Sequence, residues 1–91
     1  MEFEWDPDKE QANVSRHGVD FVEAATVFGD PLELTTSDPD HSAGEFRFLS
    51  IANSLFNRIL VVSYTERKDL IRIISARIAS PKERRQYESK R

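Results

Sequence analysis

Residues 70–87 read LIRIISARIASPKERRQY, and the fold is decided by how this stretch is divided. Leu70, Ile71, Ile73, Ile74 and Ile78 are apolar and mostly β-branched, which suits a pleated, buried strand. Ser80-Pro81 ends that strand. Pro81 fits a first helical position and Ser80 an N-cap. Glu83 follows Ser80 by three residues, so Ser-Pro-Lys-Glu forms a capping box that opens a short helix. Strict alternation along the strand places Arg72, Ile74 and Ala76 on one face and Ile71, Ile73, Ser75 and Arg77 on the other. Each face then carries an arginine, which needs a carboxylate partner or a function if it is to be buried.

Working upstream, residues 66–69 form a charged turn, and residues 58–65, RILVVSYT, a strong strand. Residues 53–57 make a hairpin connection and residues 45–52 another strand. Residues 37–44 are a turn-rich loop, and residues 32–36 the first strand of the series. Four strands joined by short connections predict an antiparallel meander. Before it, Phe3 and Trp5 alternate with acidic residues as a short edge strand. Asp6-Pro7 opens a helix that Gly18 closes, and on it Asn13 and Arg16 project away from the few apolar residues, Ala12 and Val14. Asp20 and Glu23 cap a second helix with Phe21, Ala24, Ala25 and Phe28 on one stripe. The expected fold class is α+β. A four- to five-stranded, mostly antiparallel sheet carries two N-terminal helices and one C-terminal helix, the helices covering one face.

Residues 1–91 form a single domain. At this size roughly 60–65% of the unfolded surface is buried, so the core is modest and a partner protein would help it. The chain contains no cysteine, which excludes disulfides and thiolate zinc sites and suits a cytoplasmic setting. No apolar run reaches the roughly 20 residues of a membrane span, and no signal peptide is visible, so no membrane role is expected. The formal net charge of −3 hides an asymmetry. Residues 1–41 hold two basic and eleven acidic residues, for −9, and residues 42–91 hold eleven basic and five acidic, for +6. Two surfaces with different partners would account for this, as would two halves that neutralise each other within the fold.

His17, beside Arg16 and before Gly18, is a candidate for proton transfer. It can equally serve as a histidine at a helix C-terminus. His41 lies in a polar loop. Two histidines with no ligand spacing between them, and acidic residues without a calcium-loop pattern, give no metal site and no cofactor motif. What remains is a set of cations around a sheet, with tyrosines. RNA cleavage without metal needs a base for the ribose 2′-OH, cations for the charge on the pentacoordinate phosphorus, and an acid for the 5′-oxygen. Most of these arginines are expected to be solvated. Arg72 and Arg77 stand apart because a strand fixes their direction, and Arg84 and Tyr87, three apart on one helix face, could join them.

Three blocks of the sequence resemble one family. They are Ile73-Ile-Ser-Ala-Arg77 with the Glu83-Arg84…Tyr87 that follows; Phe3-x-Trp5-Asp6, Lys9, Asn13, and Arg16-His-Gly-Val19 with Phe21; and Val27-Phe28-x-Asp30-Pro31. Together they are similar to the BrnT toxins of type II toxin–antitoxin pairs. One departure is Arg16, where that family usually carries lysine. The resemblance implies a RelE-like fold and a metal-independent endoribonuclease that inhibits growth. It also implies a BrnA-like antitoxin partner through which alone the complex meets DNA. On this basis the expected catalytic residues are His17, Arg47, Arg77, Lys9 and Tyr87, with Arg72, Arg84 and Arg67 binding the RNA substrate. The alternative is a binding module without catalysis, acting only as corepressor with its antitoxin. A third possibility is an interaction domain whose charges serve solubility.

Overall fold

A computed structural model describes residues 1–38 and 45–89. Its elements follow the order β1 (Glu2–Glu4), α1 (Pro7–His17), α2 (Phe21–Thr26) with a following 3₁₀ turn (Val27–Gly29), β2 (Leu34–Ser37), β3 (Arg47–Asn53), β4 (Ile59–Arg67), β5 (Leu70–Ile78) and α3 (Pro81–Glu88). The loop expected at residues 37–44, with His41, falls mostly outside the described residues.

The helix ends are set by local chemistry. The Asp6 carboxylate accepts from the Asp8 amide, and Gly18 closes α1 in the left-handed region at φ 69°. That conformation costs glycine little. Asp20 caps α2 by accepting from the Glu23 amide. At α3 both bonds of the capping box are present: Glu83 N–H donates to Ser80 Oγ at 3.2 Å and Ser80 N–H donates to the Glu83 carboxylate at 2.8 Å.

The five strands form one sheet in the order β1-β5-β4-β3-β2. The three pairings within β2–β5 are antiparallel, and β1 joins the outer edge of β5 in parallel. The sheet is therefore mixed rather than a pure meander. Phe21, Leu60, Ile73, Val19, Val27 and Val62 are the largest fully buried apolar side chains. They join Ala24, Ala52, Tyr64, Ile71 and Ala76 in a core between α2 and one face of the sheet. Edge-to-face rings extend it, Trp5 on Phe21 at 6.0 Å and Phe28 on Tyr64 at 4.9 Å, geometries that aromatic quadrupoles favour.

Two expectations are corrected here. The helices do not all cover one face. Tyr87 of α3 and Val61 of β4 are buried outside the main core cluster. Gln86 and Ser89 border Leu34, Thr36 and Ile51, so α3 lies over half of the opposite face. Arg72 and Arg77 also do not point to opposite faces. Ser63 pairs with Ser75 and Tyr64 with Ile73, so Ile74 is an extra residue, a β-bulge. A bulge inverts the alternation beyond it. Ile71 and Ile73 therefore share the core face with Ala76, while Arg72 and Arg77 share the other.

Asn13 is the buried residue of α1, rather than one that projects away. Its side-chain amide donates to the Val19 and Ala76 carbonyls, both at 2.8 Å, and accepts from the Ala76 N–H at 3.1 Å. It thereby takes the place of a neighbouring strand where β1 has ended, satisfying the open edge of β5.

Candidate nucleic-acid interface

The half of the outer sheet face that α3 leaves uncovered is cationic. Arg47 on β3, Thr65 on β4 and Arg72 on β5 are register partners, so they stand in one row across three strands. They line a cleft of about 150 Å³ together with Lys9, Glu45, Arg67 and Ile74. A second cleft of about 180 Å³ adjoins it, lined by Lys9, Ala12, Asn13, Arg16, His17, Ile74 and Ser75. Lys9 and Ile74 belong to both, so His17 and Arg72 flank one continuous surface. The bulge turns Arg72 outward and the Asn13 bonds hold α1, with Lys9 and His17, against β5.

Carboxylates temper this charge. Glu45 takes both arms of the Arg67 guanidinium, at 2.9 and 2.8 Å. The hydrogen bonds from Arg67 hold the Glu45 carboxyl below its ordinary range, and Glu45 in turn raises the guanidinium. Glu4 on β1 lies 3.1 Å from Arg72 and 3.6 Å from Arg67. Thr65 is 4% exposed, and its hydroxyl finds no hydrogen-bond partner among the described residues.

Of the eight residues expected at the site, the fold brings Lys9, His17, Arg47, Arg67 and Arg72 to these two clefts. Arg77, Arg84 and Tyr87 line neither. Arg77 makes a bidentate pair with Glu83, at 2.7 and 2.8 Å. The Tyr87 hydroxyl donates to Asp30 at 2.6 Å, tying α3 to the turn before β2. Arg84 is exposed on α3. Arg58, immediately before β4, serves the core side: it binds Glu23, itself 4% exposed, and the Gly18 carbonyl. That pairing, aided by Ser54, lowers the Glu23 carboxyl against the upward push of burial. Thr65, Glu45 and Glu4 were not foreseen. The alternation of RILVVSYT already put Thr65 opposite Val62 and Tyr64, but the row it joins depends on strand register.

The Arg77–Glu83 pair has a measurable signature. The Arg77 fork, with further bonds from Ser80, holds the Glu83 carboxyl down at about 2, from its ordinary 4.5. A carboxyl depressed in the folded state stabilises fully above its unfolded value, and that contribution is lost as pH falls from about 4.5 to about 2. Arg77 is 42% exposed, so solvent screening leaves about 1 kcal/mol. Glu83→Gln is expected to flatten the denaturation midpoint between pH 4.5 and 2 relative to the parent. An unchanged acid limb would show that the pair contributes nothing.

Among the described residues no helix is long and apolar enough to cross a membrane. Fold and face together define a small α+β domain with cations on one exposed sheet face. The family model for "Ribonuclease toxin, BrnT, of type II toxin-antitoxin system" matches residues 5–83, and the chain belongs to that family. Among solved structures it is similar to the 1.1 Å crystal structure of the Brucella abortus ribonuclease toxin BrnT. The TM-score is 0.64 and the identity 24%, over 88% of this chain and 97% of that one. This second likeness concerns the fold. No curated protein sequence matches.

Proposed function

We propose that the chain is the toxin of a type II pair, RelE-like in fold, that cuts RNA internally and without metal in the cytoplasm. The observation that carries this is the row Arg47–Thr65–Arg72 with Lys9 above it and His17 in the adjoining cleft. The arginine forks match phosphate oxygens, and Lys9 adds a point charge. His17, in the adjoining cleft, is the proposed acid or base for the ribose 2′-oxygen or the 5′-oxygen. Arg67 extends the phosphate track. Arg77, Arg84 and Tyr87 are assigned instead to the docking and outer surface of α3.

The test is cleavage of single-stranded RNA by purified protein in EDTA. The expected result is cutting that persists and leaves 2′,3′-cyclic phosphate ends. Activity that disappears in EDTA and returns with a divalent cation would end the metal-free proposal. A second reading, a corepressor without catalysis, is favoured by one observation: Glu45 and Glu4 already engage Arg67 and Arg72. It predicts no cleavage under any condition.

The partner is proposed to be a basic, helical, BrnA-like antitoxin that carries the DNA-binding function. Leu55 and Phe56, at the β3–β4 turn, are 83% and 69% exposed. Leu55 lines an apolar cleft of about 580 Å³ together with Met1, Phe3 and Phe28. Apolar surface of this kind is unusual on a domain that acts alone. Co-expression with the neighbouring small gene is expected to yield a stable complex burying at least roughly 1,200 Å². A chain that stays monomeric, and whose toxicity no neighbouring product relieves, would contradict it.

A further inference from the structure

Thr65 occupies the middle of the cationic row, and its hydroxyl is buried without a partner. Such a group costs free energy unless something completes it. Arg47, Arg72 and Lys9 line the same cleft, and their side chains carry donors only. Glu45, the acceptor that lines the same cleft, is held by both arms of Arg67. The Thr65 hydroxyl would be completed by an acceptor that these donors can share. A phosphate group supplies this, with two non-bridging oxygens and one negative charge in a phosphodiester. Valine would fill the same volume with no unsatisfied atom, so packing alone does not explain a threonine here.

We propose that Thr65 Oγ–H donates to a non-bridging oxygen of an RNA phosphodiester held between Arg47 and Arg72. Because the hydroxyl is buried, this contact requires side chains of the cleft to move as the phosphate binds. Thr65 is then the floor of a phosphate subsite, supplying a short neutral donor where the two flanking guanidiniums supply charge. This rests on the ribonuclease reading above and adds to it a specific contact and ligand atom.

The test compares Thr65→Val, Thr65→Ser and Arg72→Ala in the full chain. Binding is measured with a single-stranded oligonucleotide carrying 2′-O-methyl riboses, which the enzyme cannot cut, and folding by denaturation midpoint. Thr65→Val is expected to weaken binding at least about tenfold, the scale of one hydrogen bond to a charged group. Its midpoint should equal or exceed the parent's, because an unsatisfied buried hydroxyl has been removed. Thr65→Ser should restore binding to within about threefold. Parent-like binding by Thr65→Val, with Arg72→Ala defective, would overturn the Thr65 contact and leave the cationic face in place. A lower midpoint in Thr65→Val that explains its binding loss, or no rescue by serine, would also overturn it. Parent-like binding by Arg72→Ala as well would remove the reading of the face itself.

Discussion

Arg72→Ala is expected to reduce RNA cleavage on the order of 10²–10³-fold, the effect of removing one preorganised donor from a developing anion. Arg72 lines the cleft with Lys9 and flanks Thr65 in register. Its contact with Glu4, at 3.1 Å, lies at the exposed edge of the sheet, with both side chains about a third exposed. Losing that pair should cost under about 1 kcal/mol, so the variant should fold. Arg72→Lys is the sharper experiment. It keeps the charge but loses the planar fork, and it should fail nearly as badly as alanine. Arg77 offers the contrast. With its fork on Glu83, both Arg77→Ala and Arg77→Lys should melt earlier, and cleavage should fall only as far as folding does. His17→Gln completes the series. It keeps a hydrogen-bonding end while removing proton transfer, so a rate loss of roughly 10²–10⁴ with a normal midpoint is expected. If Arg72→Lys and His17→Gln both cleave at the parent rate, the two clefts are not the active site.

The largest stability effect is expected at Asn13. Three hydrogen bonds run from one side chain to the Val19 carbonyl and to both backbone groups of Ala76. Alanine at position 13 strands three backbone groups in the interior. Each costs roughly 1–3 kcal/mol when unsatisfied, less where relaxation admits water. A total near 3 kcal/mol is expected, which for a domain of this size lowers the midpoint by roughly 10–20 °C. Asn13→Asp is the control that separates shape from donors. It preserves the volume but sets a carboxylate against two carbonyl oxygens, and it should be no better than alanine. A midpoint within about 2 °C of the parent for either variant would show that the edge of β5 has another means of satisfaction. Activity should fall too in the fraction that remains folded, since Lys9 and His17 ride on the same helix.

What was legible in the sequence was whatever short-range chemistry determines. Asp6, Gly18, Asp20 and the Ser80–Glu83 box mark helix ends because a cap is a bond between residues two to four apart. The strand that begins at Leu70 and is stopped by Ser80-Pro81 was legible from β-branched composition, and β5 spans Leu70–Ile78. The faces of that strand were not. Nothing in IRIISAR announces that Ile74 is supernumerary, because a bulge is defined by what the partner strand offers across from it. Ser63 and Tyr64 make that offer, about ten residues upstream. The same limit hid Asn13. A polar residue on a helix with little apolar surface looks solvated until a strand edge 63 residues away is brought to it. The list of site cations was legible as residue types, yet five of the eight assemble and three do not. Arg77 and Tyr87 are taken by Glu83 and Asp30, and those pairings follow from where α3 crosses the sheet.

The parallel contact of β1 with β5 has a consequence for when this molecule becomes dangerous. During synthesis Phe3 and Asn13 leave the ribosome early, but their partners Ile71 and Ala76 lie in the last strand of the sheet to be made. Antiparallel neighbours among β2–β4 can pair as they emerge. Lys9 and His17 cannot face Arg72 until β5 is out of the exit tunnel, because contacts of large sequence separation close last. The proposed RNA-facing surface is thus assembled by the same event that completes the sheet, and a nascent chain stalled before residue 70 carries the parts of that surface without the face itself.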